Sequence, residues 1–326
     1  MNIVMCMLVI FIHIASWTLP SMDTKSVKYI FMLVPWRLSA FVVQGFLFLS
    51  GVKLFSSQKA FSYPRFMAGR IKKVYLPYVL WVFIYYAYFI AIGWYKFSLS
   101  DTAEYIALGT LCSHFYYVII AMQFYLLMPL WRTLVNSFNG AKLAVFSVAL
   151  TMLVMAFVKF TYDDRVFFSY LCYFLLGAVV GKNYEKICSN IKKYCSLVFG
   201  AFLVIGFAEA YLTYRQMVYG AVYRYFKVFH LFYCLAAIFA LFTLSLMIMR
   251  GRKLPKLLAA VDRNAYGIYL SHILFIYIAN NEMYRLGIDG MLETFLIRGI
   301  FTYVATFVLC IGYEYAKEKL CVMCKK

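Results

Sequence analysis

Apolar residues in this chain come in long unbroken runs, and the polar residues gather in the gaps between them. The runs cover roughly 3 to 19, 35 to 55, 76 to 95, 115 to 135, 143 to 161, 166 to 182, 195 to 212, 227 to 249, 265 to 281 and 294 to 315. They are too long and too continuous for the strands of a membrane barrel. A backbone in hydrocarbon must satisfy its own hydrogen bonds, so such runs predict helices. Crossing a core of about 30 Å takes about 20 mostly apolar residues. The pattern therefore predicts an all-α, polytopic transmembrane bundle of about ten spans. No repeat or Gly/Ser linker interrupts residues 1–326, which read as one integral membrane domain with no room for a sizeable soluble part.

Composition agrees: 65% of the 326 residues are hydrophobic and 14% charged, where a soluble domain carries about a quarter charged residues. A net charge of +19 raises the question of nucleic acid. The cations sit in short loops rather than along one polar face, so the partner is the lipid bilayer, not nucleic acid. Lys59, Arg65, Arg70, Lys72 and Lys73 follow the second run; Lys182, Lys186, Lys192 and Lys193 follow the sixth; Arg250, Arg252, Lys253, Lys256 and Arg263 follow the eighth. By the positive-inside rule these loops are expected in the cytoplasm. Acids mark the intervening loops, at Asp101 and Glu104, at Asp163 and Asp164, and at Glu282, Asp289 and Glu293. The loop at 213 to 226 carries Arg215 and Arg224 without an acid, and its place between two basic loops assigns it outward. Both termini then face the cytoplasm, with Lys317, Lys319, Lys325 and Lys326 at the C-terminal end. The first run has neither a basic segment before it nor a small-residue cleavage pattern after it, so no cleavable signal is expected. Nine scattered cysteines read as reduced packing residues. Cys321 and Cys324 form a single CxxC with no second pair, so no metal site is expected.

An ionisable residue inside a span is costly and marks a functional site by default. His13 lies about ten residues into the first run, hence about 15 Å deep at 1.5 Å per residue. A neutral imidazole there can take a proton from a hydroxyl; the plainer reading is a His that bridges two helices by hydrogen bonds.

Four segments, in order, resemble the acyltransferase 3 family of bacterial integral-membrane O-acyltransferases. The first span of that family carries an Arg, ten intervening residues and a His; His13 matches the His, and Asn2 stands where the family has Arg. Phe41-Val42-Val43-Gln44-Gly45-Phe46-Leu47-Phe48-Leu49-Ser50-Gly51 is similar to the second span, an aromatic-rich run closing on Ser-Gly, where small residues allow close helix packing. Arg70-Ile71-Lys72-Lys73-Val74-Tyr75-Leu76-Pro77-Tyr78 resembles the RxxR segment before span three, with Lys73 in the second Arg position. Asn264-Ala265-Tyr266-Gly267-Ile268-Tyr269-Leu270-Ser271-His272 resembles the late-span signature ending in Tyr-Leu-x-His.

The resemblance implies an enzyme of the plasma or inner membrane. It would move an acyl group, with acetyl expected, from cytoplasmic acyl-CoA to a hydroxyl of a cell-surface or lipid-linked glycan. Acyl-CoA enters as a co-substrate, with no tightly bound cofactor and no metal. His13 is then the candidate base. Arg70 and Lys73, one helical turn apart, can present two cations to the coenzyme's phosphates, although they also satisfy the positive-inside rule. Substrate-binding candidates are His114 at the outer mouth of the fourth span, Glu209 in the seventh, a buried acid that needs a partner, and His272. A flippase for lipid-linked sugars would also use ten helices, but no paired Gly/Pro-interrupted spans point to one. A structural partner of an export complex would leave His13 unexplained.

Overall fold

The computed structural model describes residues 1–57, 60–191, 193–249 and 253–323. Lys59, Lys192, Arg250, Arg252, Cys324, Lys325 and Lys326 lie outside the described residues. Among those described there are helices and no strands. In chain order they are α1 (Asn2–Thr18), α2 (Val27–Leu38), α3 (Val42–Phe55), α4 (Tyr63–Arg70), α5 (Leu76–Ala91), α6 (Leu99–Leu108), α7 (Tyr116–Leu126) and α8 (Met128–Ser137). There follow α9 (Gly140–Phe157), α10 (Leu171–Lys182), α11 (Tyr184–Ile191), α12 (Cys195–Tyr219), α13 (Phe226–Met249), α14 (Lys256–Arg263), α15 (Ala265–Arg285) and α16 (Met291–Met323).

Each expected run is helical, but not every one forms a full-length apolar helix. Among the described residues seven helical stretches are long and apolar enough to cross a membrane, or eight if one bent pair counts as a single span. That pair joins α6 to Ser113–Leu126 at 47°. Gly109, at φ +66, ends α6 in the left-handed conformation that glycine adopts without a Cβ penalty. The sixth run gives a shorter apolar helix, Phe167–Lys182. The ninth gives the 21 residues of α15, in which His272, Asn280, Asn281 and Glu282 lower the apolar character.

The chain divides into two compact units. One comprises Met1–Val42, Cys195–Arg224 and Phe239–Lys326; the other comprises Val43–Tyr194 and Tyr225–Ile238. In the second unit α3 and α10 cross with no room for a Cβ at the contact. A Cβ on Gly177 would collide with the Phe48 carbonyl, and one on Gly51 or Gly181 with the carbonyl of Phe174 or Val52. The small residues of the Ser50-Gly51 run therefore do what their composition suggests. An aromatic core continues from this crossing, with Phe124 and Phe174 stacked at 4.5 Å and Trp131 beside both.

Between α4 and α5 the backbone widens into a π-helical turn, Ile71–Tyr75. Pro77 has no N–H to give the Lys73 carbonyl, four residues back, so the ordinary helical ladder is interrupted at this point.

In the first unit α1, α15 and α16 pack on one another. Cys6 meets Ala265, His13 meets His272 and Trp17 meets Tyr277, so α1 and α15 run parallel and nearly in step. The last helix returns antiparallel to α15, with Glu314 beside Asn264 and Arg298 beside Asn280.

Candidate active site

Two imidazoles sit side by side midway along the parallel helices α1 and α15. The ring centroids of His13 and His272 are 5.2 Å apart, tilted by 49°. His272 is fully buried and His13 half-buried. The ring of His272 has a defined orientation, because its Nδ1 lies 3.1 Å from the Ile268 carbonyl. A carbonyl oxygen only accepts, so Nδ1 carries the proton, and in the neutral ring the basic lone pair is on Nε2. The ring of Tyr269 lies 6.0 Å from that of His272. The sequence thus offers two separate candidates at 13 and 272, and the fold makes them one site.

Further along the same three helices, Arg298 of α16 is 7% exposed. Its Nε donates to Asn280 Oδ1 on α15 at 2.6 Å, and its Nη1 to Thr18 Oγ1 on α1 at 3.0 Å. The sequence reading missed this residue. The signal for it is a lone Arg at the start of the last apolar run, where a long cation ordinarily snorkels to the interface.

Glu209 finds the partner that its burial requires. Arg37 of α2 donates from Nε to Glu209 Oε1 at 2.6 Å, and the carboxylate is fully buried on α12. A cation and an acid in two facing apolar helices form a structural pair, and losing one member would strand the other.

In the second unit His114 is 1% exposed. It lies among aromatic rings, 4.3 Å from Phe115 and 5.6 Å from Tyr85 by centroid. The His expected at the outer mouth of the fourth span is thus enclosed in an aromatic cluster.

Arg70 lines a cavity of about 370 Å³ together with Lys53, Arg65, Arg132, Phe61 and Phe66. No acid is among the lining residues. The Arg70 guanidinium lies 4.9 Å from the centre of the Phe66 ring and 5.0 Å from that of Tyr125, and the Arg132 guanidinium lies 4.4 Å from that of Phe61. Stacking of this kind holds a guanidinium plane while leaving N–H donors at its edge. Lys73 is exposed and does not line the cavity. The π turn changes the angular spacing between positions 70 and 73, so the expected pair is not brought together; Arg132, which sequence spacing could not connect to Arg70, takes the neighbouring place.

Fold and site together define a multi-pass membrane protein with an imidazole pair inside its helices. The acyltransferase 3 family model, an acyltransferase domain, matches residues 2–315. The chain belongs to that family and is a membrane acyltransferase for groups other than amino-acyl groups. No curated protein and no solved structure matches it.

Proposed function

We propose that the enzyme takes an acyl group, with acetyl expected, from cytoplasmic acyl-CoA and passes it to a hydroxyl of a cell-surface or lipid-linked glycan, with His13 as the general base. The observation that carries the reading is the pairing of His13 with His272 in the helices of one unit. His13 takes the proton of the acceptor hydroxyl as its oxygen adds to the thioester carbonyl. Collapse of the tetrahedral intermediate breaks the carbon–sulfur bond, and coenzyme A leaves as its thiol with the proton returned. His272, held by Ile268, positions the first imidazole.

The acid-free cavity supports the donor half of the reading. Lys53, Arg65, Arg70 and Arg132 gather cations on one concave surface, and phosphates are what such a surface attracts. Coenzyme A carries three phosphates at one end and its thioester at the other, so it can be held by charge while the acyl group extends away.

The direct test compares O-acyl groups on the host's surface glycans, with and without this gene. Loss of a defined acyl ester on deletion, restored by the wild-type gene and not by His13→Ala, is the expected result. Identical acyl content in both strains would refute the glycan acceptor.

A further inference from the structure

The imidazole pair accounts for one buried polar layer of α1, α15 and α16, but a second layer remains. Arg298 is a buried cation whose partners, Asn280 and Thr18, are both neutral. No carboxylate among the described residues forms an ion pair with it. A guanidinium has five N–H donors, and these two contacts use two of them. Burying an ion without a counter-charge is costly, and inside a membrane helix such a cation marks a functional site by default.

A second observation leads from this cation toward the imidazoles. Arg298, Thr302 and Thr306 recur every four residues on the buried face of α16, and both threonines are fully buried. The hydroxyls of Thr302 and Thr306 and the amide nitrogen of Asn280 have no hydrogen-bond partner among the described residues. Buried polar atoms are normally satisfied, so each such group calls for an explanation. Because α16 runs antiparallel to α15, Arg298 is level with Asn280, and Thr306, eight residues on, is level with His272, eight residues back from Asn280. Eight residues are about 12 Å of helix. A line of unmet hydrogen-bonding groups therefore joins a cation without a counter-ion to the imidazole pair.

The geometry points to a binding track for a hydroxylated, anionic acyl acceptor: its carboxylate or phosphate is held by the free N–H groups of Arg298 and Asn280, its hydroxyls meet Thr302 and Thr306, and the hydroxyl to be acylated reaches His13. Naming the ligand an acceptor rests on the acyl-transfer reading; the binding of an anion does not. The anionic group has two possible sources, a sugar acid of the glycan or the phosphate of a polyprenyl carrier, and both suit a guanidinium fork.

The test uses the full chain in nanodiscs of neutral lipid and measures binding of four probes: methyl glucuronide against methyl glucoside, and a polyprenyl phosphate against the free polyprenol. Wild type is expected to bind one anionic probe at least about tenfold more tightly than its neutral counterpart, the size of one charge-assisted hydrogen bond. Which pair shows the preference identifies the source. Arg298→Gln should bring that ratio to about one, and Arg298→Lys, which keeps charge without the fork, should retain part of it. Equal binding of anionic and neutral probes by wild type in both pairs overturns the proposal, and this comparison holds even if the Gln variant fails to fold. A preference that survives in a folded Arg298→Gln overturns it too. Neither result bears on acyl transfer, whose own test is the dependence of turnover on His13.

Discussion

His13 and His272 differ in their surroundings, and the difference supports the roles proposed for them. The ring of His272 is fully buried and donates to a backbone carbonyl of its own helix, so its proton and plane are fixed. His13 is half-buried, which suits the ring that must meet a substrate hydroxyl. His13→Ala is expected to lower turnover at saturating donor by about 10²- to 10⁴-fold, the usual contribution of a general base. A purely structural histidine would behave differently, because interhelical hydrogen bonds in membranes average about 0.6 kcal/mol. Turnover per folded molecule, measured with purified protein in lipid, separates the two; a fall of less than about threefold would withdraw His13 as the base. At this scale the sequence was readable where cost made a residue conspicuous. His13 stands out because an imidazole in an apolar run needs a reason, and Glu209 because a buried acid needs a partner, which it has in Arg37. Its partner Arg37 was not foreseen, because it lies 172 positions away in sequence and pairing at that distance is a property of the packed helices.

Among the elements, the turn before α5 shows how a local backbone feature decides which cations share a cavity. Regular helix from Arg70 to Lys73 would have presented both cations together, as their spacing suggests. The π turn at Ile71–Tyr75 departs from that spacing, leaving Arg70 in the cavity and Lys73 in the open. Arg70→Ala with Arg132→Ala is therefore expected to raise the Michaelis constant for acyl-CoA by about tenfold or more, since each charge-assisted contact is worth about 1.5 to 3 kcal/mol. Lys73→Ala should leave that constant within about twofold, as surface cations contribute little. Steady-state kinetics on the two variants decides the matter, and the reverse order of effects would return the donor site to the RxxR-like pair. The apolar runs located the helices because hydrophobic length is a local property of the chain. They did not give the bend at Gly109 or the π turn, which depend on one left-handed glycine and one missing proline N–H.

For the chain as a whole, we propose a number of membrane crossings from two contacts, each inside a single unit. Lys53, Arg65 and Arg132 line one cavity, so the chain must return by residue 132 to the side it left after residue 65. The stretch Tyr63–Ala91 takes it across, and the bent pair of α6 and Ser113–Leu126 is the only helical candidate among the described residues to bring it back. Separately, α1 and α15 run parallel. At about 31 Å, the 21 residues of α15 are long enough to span, and parallel spans require an odd number of crossings between them. Val27–Phe55, Tyr63–Ala91, the bent pair, Gly140–Phe157, Cys195–Tyr219 and Phe226–Met249 make six, and Phe167–Lys182 supplies the seventh. With α1, α15 and α16 this proposal totals ten, two or three more than the seven or eight spans that length and composition alone support, and it would put both termini on the side of the basic loops. Single cysteines test this with an impermeant thiol reagent. Thr161→Cys and Asp289→Cys, both at exposed positions, should be labelled in intact cells. Lys186→Cys and Lys253→Cys should react only after permeabilisation, in keeping with the positive-inside rule. The native Cys188 and Cys195 provide an internal blank, since both are half-buried and flank the same basic segment as Lys186. An unlabelled Thr161→Cys would mean that the bent pair and Phe167–Lys182 both fail to cross, which leaves eight spans and contradicts the shared cavity. Labelling of Lys253→Cys from outside would reverse the whole orientation, and the cationic cavity would then face away from the compartment that holds coenzyme A.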